Sequence, residues 1–261
     1  MKIVIPFLFF ISSFFCLAQQ IDVTPINAVD LNADEFVGLD GFGNYFFIKN
    51  NVLYKNGNSQ SLQYQNIPLG KIKKVDVINP LKVVLFYEHF NTVVLLDNQM
   101  NEIQKIEFSK NETPIIASAV GMSGQNQLWL YNSVDQQIGL YDLATNQYKS
   151  LGVPVKENLL FYQTDFNYFE WIDSNHQWYS SSIFGRVENK GRVEFDTQFQ
   201  LLEKNKLVYA KENALYFLDR ETNTHYKIVI FEKSFQQFYY KDQILSIFTS
   251  KGLTNYKITL P

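Results

Sequence analysis

Short apolar runs recur along this chain at a spacing of about 40 residues, and this repeat limits the available folds more than any other feature. One unit, 82–108, contains three β-rich runs separated by polar breaks, and the run 72–78 supplies a fourth. Similar units occupy 114–154 and 199–231. Apolar residues nowhere keep helical spacing over three turns, so the pattern predicts short strands joined by tight turns.

An aspartate marks the same position in three of these units. It follows an apolar stretch and precedes an Asn-containing turn and an alternating strand, as at Asp97, Asp142 and Asp219. Asp97 and Asp142 are 45 residues apart, and Asp142 and Asp219 are 77 apart, close to two periods. First strands are predicted near residues 36, 71, 114, 158, 199 and 235, with steps of 35, 43, 44, 41 and 36 residues.

Four strands per repeat at this period are the signature of β-propeller blades, small sheets arranged around a central channel. Six first strands predict an all-β fold, a six-bladed β-propeller of four-stranded antiparallel blades. The predicted blades lie near 36–67, 71–109, 114–154, 158–196, 199–231 and 235–261. The last unit has three runs, and 20–31 holds a spare strand. We expect this N-terminal strand to complete blade six and close the ring, because an open ring exposes a sheet edge. A pair of β-sandwiches is the alternative fold.

The aromatic content suits such a ring. The chain has 23 Phe, 16 Tyr and 3 Trp, and each can bury about 150–250 Å² between radially packed sheets. The blade pattern over roughly 20–261 resembles six-bladed propellers of the NHL, YWTD and quinoprotein-like groups, and is similar to exported propellers of flavobacteria. The resemblance implies one propeller domain over 19–261. No WD dipeptide set, kelch Gly-Gly pair or tryptophan docking repeat occurs.

The N-terminal segment has the pattern of a secretory signal peptide. An almost unbroken apolar run covers 3–17, and small residues suit cleavage after Ala18. The run is shorter than the ~20 residues that span a bilayer. We expect residues 1–18 to be removed and the mature chain to be periplasmic or outer-membrane-associated. A location outside the cell is the alternative. Lipidation at Cys16 is the alternative, although Phe15 stands where a lipobox needs a small residue.

Composition and motifs argue against several functions. With 23 basic and 26 acidic side chains the formal net charge is −3, which disfavours nucleic-acid binding. Cys16 is the only cysteine, so the mature chain would lack a thiolate nucleophile and a disulfide. His89, His176 and His225 have no metal-ligand spacing, and no nucleophile elbow, P-loop or dinucleotide fingerprint occurs. We therefore predict no cofactor and no enzymatic activity.

One group of carboxylates keeps a catalytic alternative open. Asp40, Asp165 and Asp242, together with Asp76 or Asn79, lie near the ends of predicted first strands, which surround one channel in a propeller. Lactonase-like propellers use such a ring for a divalent cation. A metal-dependent hydrolase or lyase is thus the alternative function, followed by a quinone or sugar binder. The simpler interpretation is that Asp and Asn end strands because their side chains bond nearby backbone, so we assign no metal site.

Short predicted turns between second and third strands favour a flat protein-binding face, because enzymes usually need longer loops to enclose a substrate. The candidate partner-binding residues are His89, Phe90, Phe166, Tyr168 and Trp171. We predict a non-catalytic scaffold or complex component that binds another envelope protein, with no nucleic acid and no transmembrane segment in the mature chain. Peripheral association with the outer membrane is a further option.

Overall fold

Six small antiparallel sheets follow one another along the chain and form a ring. The computed structural model describes residues 19–57, 60–111, 113–124, 126–194, 198–203 and 205–261, so the predicted signal peptide lies outside the described residues. Within these ranges, five sheets have four strands, one has five, and the only helices are three single 3₁₀ turns. The predicted six-bladed β-propeller is confirmed.

Each blade starts with a strand at the channel and proceeds outward through neighbouring antiparallel strands. Blade one comprises β3 (Glu35–Leu39), β4 (Tyr45–Lys49), β5 (Val52–Asn56) and β6 (Ser61–Tyr64). Blade two comprises β7 (Lys74–Asp76), β8 (Val83–Tyr87), β9 (Thr92–Leu96) and β10 (Glu102–Glu107). Blade three comprises β11 (Ala117–Ser123), β12 (Gln127–Asn132), β13 (Gln137–Asp142) and β14 (Gln147–Leu151).

The other three blades repeat this order. Blade four comprises β15 (Leu159–Thr164), β16 (Tyr168–Asp173), β17 (Gln177–Ser182) and β18 (Val187–Arg192). Blade five comprises β19 (Phe199–Leu202), β20 (Lys206–Lys211), β21 (Ala214–Asp219) and β22 (Thr224–Val229), with β1 (Gln19–Asp22) added outside β22. Blade six comprises β23 (Gln237–Lys241), β24 (Ile244–Thr249), β25 (Gly252–Lys257) and, as its outermost strand, β2 (Thr24–Val29).

The N-terminal strand closes the ring as predicted, but it also does more. β2 pairs antiparallel with β25, from Thr24 opposite Lys257 to Val29 opposite Leu253. The segment is divided in two, and β1 pairs in parallel with β22 of blade five. The first described residues therefore join the last two blades to each other.

The middle strands explain why the repeat was so visible in the sequence. All five residues of β8 are buried, and so are all five of β9. A middle strand lies between two neighbouring blades, so both of its faces are covered and the strand reads as a continuous apolar run. The outer strands have a free edge and more exposed residues, as the pattern of β14 shows.

Tight turns account for the polar residues that mark the repeat. The Oδ1 atom of Asp97, Asp142 and Asp219 accepts a hydrogen bond from the backbone N–H two residues later, at 2.8, 3.0 and 2.9 Å. Each aspartate thus shapes the turn between the third and fourth strands of its blade. The pKa of Asp97 is lowered mainly by the side-chain hydrogen bond from Asn101, and that of Asp142 mainly by the backbone hydrogen bond from Thr145.

Asparagines between the second and third strands hold the links that join blades. Asn91 has φ +48°, a left-handed conformation that Asn tolerates. Its Nδ2 donates to the Ile115 carbonyl at 2.7 Å, and its Oδ1 accepts from Ala117 N at 2.9 Å. Asn51 binds the preceding link in the same way, through the Gly70 carbonyl and Ile72 N. Successive blades are thereby fixed at the face that carries these turns.

Among the described residues, the core consists of six hydrophobic clusters, one at each interface between neighbouring blades. Between blades three and four, the Trp129 and Phe169 rings meet edge to face with centroids 6.0 Å apart. Both side chains are fully buried. The Trp129 indole Nε1 donates to the Asp165 carbonyl at 2.8 Å, which satisfies its polar atom.

Candidate functional site

The inner strands surround a cavity of about 1470 Å³ that also extends sideways between blades four and five. β7, β15, β19 and β23 all contribute to its lining. Blade three instead packs closely on blade four, because β11 is built from small residues. A Cβ on Gly121 would overlap the Thr164 side chain. The channel is therefore asymmetric: residues of the other five blades line the cavity, and the space beside blade three is filled.

Glutamine side chains bridge the gaps between neighbouring inner strands. Gln163 Nε2 donates to the Leu201 carbonyl at 2.8 Å, and Gln163 Oε1 accepts from Leu201 N at 3.1 Å. Gln200 makes the same pair of bonds with Tyr240, both at 2.7 Å. Each amide takes the place of a neighbouring strand in satisfying the backbone groups at the channel wall. Gln237 does so for Phe36, whose N–H donates to its Oε1 at 2.7 Å.

Asp76 performs the corresponding bridge on the other side of the channel. Its Oδ2 accepts from Met122 N at 2.8 Å and from Thr164 Oγ1 at 3.4 Å, and its Oδ1 accepts from Ile78 N at 2.9 Å. Burial raises the pKa of the Asp76 carboxyl, and these hydrogen bonds oppose that effect. The side chain joins blades two, three and four, so its acceptor capacity is used structurally.

Lys74 lies inside the channel, exposed to its interior but surrounded by protein. Its Nζ is 5.4 Å from the centroid of the Tyr162 ring. Desolvation lowers the pKa of Lys74, while the charges of Asp76 and Glu35 raise it. Desolvation likewise raises the pKa of Glu35, opposed by Lys74 and Lys71. The positive charge of Lys74 and the negative charges of Asp76 and Glu35 thus compensate one another in this part of the channel.

The three metal candidates occupy turns between first and second strands. Asp40 is buried, accepts from Phe42 N and Asn44 N at 2.8 and 2.9 Å, and lies 3.7 Å from Lys55 Nζ. Asp165 Oδ1 accepts two backbone hydrogen bonds of 2.7 Å, and Asp242 has φ +49° in the turn after β23. Among the described residues, no three His, Cys, Asp or Glu side chains are grouped to hold a metal ion. The contacts of Asp40 and Asp165 are those of turn-forming side chains.

Chain direction defines two faces of the propeller. We call upper the face with the turns between second and third strands and the links between blades, and lower the face with the remaining turns. His89 and Phe90 lie in an upper turn, whereas Phe166 and Tyr168 lie at a lower turn. The prediction for Trp171 is wrong, because that side chain is 3% exposed and belongs to the core between blades three and four.

An arc of exposed apolar side chains crosses the upper face from blade one to blade four. Its members are 53% to 74% exposed. The apolar arc consists of Ile67, Phe90, Ile116, Val134 and Val153. Another exposed residue of this face, Phe231, lies apart in the link between blades five and six. Only Phe90 of the arc was predicted from the sequence, because isolated aliphatic residues in loops give no periodic signal.

The members of the apolar arc lie on segments that contact one another. A Cβ on Gly70 would be 3.5 Å from the Phe90 ring, which places the link carrying Ile67 beside Phe90. Three hydrogen bonds connect the remaining segments: Asn91 Nδ2 to the Ile115 carbonyl at 2.7 Å, Ser133 N to the Ile116 carbonyl at 2.9 Å, and Val155 N to the Gln136 carbonyl at 2.8 Å. The five side chains of the arc therefore lie on adjoining segments of one sector of the upper face.

A polar cleft separates the lower halves of blades four and five. Glu170 lies in this side extension of the channel, opposite Gln163 on β15 and Ser180 on β17. Burial, followed by the charge of Asp165, raises the pKa of Glu170 to about 7. The signal in the sequence is a glutamate inside the apolar stretch 168–172, and Glu170 was not among the predicted site residues.

Comparisons with known proteins establish the fold. No family model and no curated protein matches the sequence. Virginiamycin B lyase from Staphylococcus aureus is similar in structure, with TM-score 0.56, 11% identity, and coverage of 86% of this chain and 79% of the lyase. BBS1N in complex with ARL6DN gives TM-score 0.55, 12% identity, and coverage of 87% and 78%. At such identities the likeness extends to the fold alone.

A third structure shares the architecture as part of a larger chain. The extracellular domain of the one-component system BT4673 from B. thetaiotaomicron gives TM-score 0.51 and 12% identity, covering 91% of this chain and 40% of that one. In the part of the chain that the structure describes, no helix is long and apolar enough to cross a membrane.

Proposed function

We propose that this chain is an exported, non-catalytic β-propeller that binds a protein of the cell envelope through the apolar arc. The observation that carries the proposal is the exposure of five apolar side chains, Ile67, Phe90, Ile116, Val134 and Val153, on adjoining segments of one face. Contiguous exposed apolar surface marks interaction sites, since isolated proteins seldom leave it uncovered. Export is proposed from the apolar run that ends near Ala18.

The arc is built on a rigid support, which favours a preformed binding surface. Asn51 and Asn91 hold the links between blades, and Asn132 does the same, accepting from Ile116 N at 2.9 Å. A surface whose backbone is already fixed loses less conformational entropy when a partner binds. The ion pair between Lys73 and Glu88, at 3.1 Å, gives the arc a polar rim.

The fold is compatible with this role without determining it. BBS1N is a similar propeller solved in complex with ARL6DN, whereas virginiamycin B lyase is named as an enzyme. Function must therefore be argued from the site. The alternative of a metal-dependent hydrolase or lyase gains no support from Asp40 and Asp165, since their oxygens bind turn backbone.

A capture experiment with two matched variants tests the proposal. The mature chain is immobilised and exposed to solubilised envelope proteins. Ile67→Asp, Phe90→Asp and Val153→Asp are combined in one variant, and Phe42→Asp, Leu81→Asp and Phe184→Asp, all exposed on the lower face, form the control. We expect one envelope protein to be retained by the wild type and by the control, and lost from the arc variant.

Two outcomes would contradict the proposal. The first is equal retention by all three proteins, which would place the contact elsewhere. The second is sedimentation of the wild type with protein-free vesicles of envelope lipids that the arc variant loses, since the arc would then bind a membrane surface. Circular dichroism of each variant confirms that the propeller is intact.

A further inference from the structure

The surface of blade four that faces blade five differs in its upper and lower halves. The upper half contributes Ile172, Trp178 and Val193 to an apolar cluster. Below it, a row of polar side chains crosses blade four: Gln163, Glu170, Ser180 and Glu188, one from each strand. Polar side chains replace a hydrophobic core here, and all four line the cavity. A cavity lined by polar side chains, where the other blade interfaces are apolar, is suited to a polar ligand.

Glu170 forms no ion pair among the described residues, although the charge of Lys190 is close enough to lower its pKa. Lys190 Nζ binds Glu188 at 2.8 Å, and the Arg186 guanidinium binds the other oxygen of Glu188 at 2.9 Å. On blade five, Lys206 is 3.8 Å from Asp219. Every nearby base therefore has another partner, and a largely buried carboxylate without a counter-ion is costly.

A buried donor faces the same carboxylate. The Trp178 side chain is fully buried, and its indole Nε1 makes no hydrogen bond of good geometry within the described residues. It is directed toward Glu170 and helps to stabilise the ionised form of that carboxyl. The cavity as a whole is lined by seven acidic and five basic side chains, an excess of negative charge.

The opening of the cleft provides an aromatic surface. Tyr168 and Phe184 line it at the lower face, where Phe184 is 89% exposed. Their strand segments are adjacent, because Tyr168 pairs with Ser182 across the blade. Aromatic faces attract organic cations and also pack against apolar rings or chains. The cleft thus combines an aromatic entrance with a carboxylate that has no ion-pair partner among the described residues.

We propose that this cleft binds a small organic cation, a primary amine carried on an apolar or aromatic body. The ammonium group donates to Glu170 and supplies the missing counter-charge. The body of the ligand lies against Tyr168 and Phe184 at the entrance. This site is on the lower face and is independent of the partner proposed for the apolar arc.

Benzylamine and benzyl alcohol form a matched pair of probes, since they share the ring and differ in the charge. Binding to the full mature chain is measured by isothermal titration calorimetry at pH 8. We expect benzylamine to bind at least ten times more tightly than benzyl alcohol. Glu170→Gln should abolish that preference. The control Glu203→Gln removes an exposed carboxylate of the same cavity and should change the affinity less than twofold.

The pH dependence provides a second readout. The charges that act on Glu170 are those of Asp165, from the turn before β16, and Lys190, from β18. The cavity lining also carries Arg186 and Glu188 from blade four and Glu203 and Lys206 from blade five. Because Glu170 titrates near pH 7 while an alkylamine stays protonated, benzylamine affinity should rise about tenfold from pH 6 to pH 8. In Glu170→Gln the affinity should be independent of pH over this range.

Three results would overturn the proposal. They are equal affinity for the amine and the alcohol, unchanged amine binding in Glu170→Gln, and no detectable binding of either probe at millimolar concentration. A melting curve of Glu170→Gln in the absence of probe shows whether the variant is folded. If Glu170→Gln does not fold, Ser180→Val is used instead. Ser180 lies opposite Glu170 on the next strand, and this variant should weaken benzylamine binding more than tenfold.

Discussion

The amide of Asn255 on β25 donates a hydrogen bond of 2.7 Å to Oδ1 of Asn27 on β2, a residue 228 positions earlier in the chain. Asn255 Oδ1 in turn accepts from Ser246 Oγ at 2.7 Å, and both of these residues are buried. Three strands of blade six are thus joined through one side chain. The contact fixes the register in which the N-terminal strand closes the ring.

Replacing this asparagine tests the closure. Asn255→Leu keeps a similar volume but leaves the buried Ser246 hydroxyl without its partner, which costs about 1–3 kcal/mol, and removes the hydrogen bond to the exposed Asn27, worth about 0.5–1.5 kcal/mol. We expect the free energy of unfolding to fall by about 2–4 kcal/mol in urea titrations. Thr254→Ala, at the next position of the same strand, is the control and should cost less than about 1 kcal/mol. Equal effects would show that Asn255 has no special part in closure.

The glutamine bridges make a second prediction about how blades are held together. Gln200→Leu removes both hydrogen bonds to Tyr240 and leaves that backbone amide and carbonyl unpaired at the channel wall. A loss of about 2–4 kcal/mol is expected from the unsatisfied groups. Gln99→Leu, in an exposed turn, should be nearly neutral. Faster hydrogen exchange of the Tyr240 amide in Gln200→Leu would confirm the cause, and unchanged exchange would contradict it.

Close packing of blades three and four predicts a steric effect at one glycine. A Cβ on Gly121 would overlap Thr164, whereas a Cβ on Gly41 would meet nothing within 4 Å. Gly121→Ala should therefore destabilise the protein by about 1–3 kcal/mol, as overpacking does. Gly41→Ala should be neutral or slightly stabilising. Thermal unfolding of the two variants under one condition compares them directly, and similar melting temperatures would refute the packing argument.

The raised pKa of Glu170 leads to a prediction about how the free energy of unfolding depends on pH. Its pKa is about 7 in the folded protein and near the ordinary 4.5 when unfolded. The folded state therefore binds more protons between these values, so this group makes stability fall as pH rises from about 4.5 to 7. The loss reaches at most about 3 kcal/mol and then stays constant.

Glu170→Gln removes this penalty. The variant should gain stability relative to the wild type as pH rises from 4.5 to 7, measured by urea titration at each pH. Glu203→Gln, an exposed neighbour in the same cavity, serves as the matched control and should show no such trend. A constant difference between Glu170→Gln and the wild type across this range would contradict the assigned shift.

Much of the fold could be predicted because the middle strands are covered on both faces. β8 and β9 appear in the sequence as uninterrupted apolar runs, and Asp97 marks the turn that follows β9. The three runs of the last unit and the spare strand in 20–31 predicted that the N-terminal strand would complete blade six, which the pairing of β2 with β25 confirms. The parallel pairing of β1 with β22 was not predicted, because four residues that add to an outer edge have no distinguishing pattern.

Side-chain sites were harder to predict, because they depend on where neighbouring blades meet. Trp171 was assigned to a binding surface, yet strand alternation places it in the core. Gln163 and Gln200 look like ordinary polar residues of a strand, and their role depends on the gap to the next blade. Glu170 is unusual in the sequence, but only the structure shows that its blade interface opens into the channel.

The proposed function depends on which face meets a partner, and site-specific photo-crosslinking measures this most directly. Benzoylphenylalanine is introduced at Phe90 or Val153 on the apolar arc, and at Phe42 or Phe184 on the lower face, and intact cells are irradiated. We predict that the two arc positions form an adduct with the same envelope protein, while the lower-face positions form none with it. Adducts to that protein from the lower face alone, or none from either arc position, would contradict the proposal that the apolar arc is the binding surface.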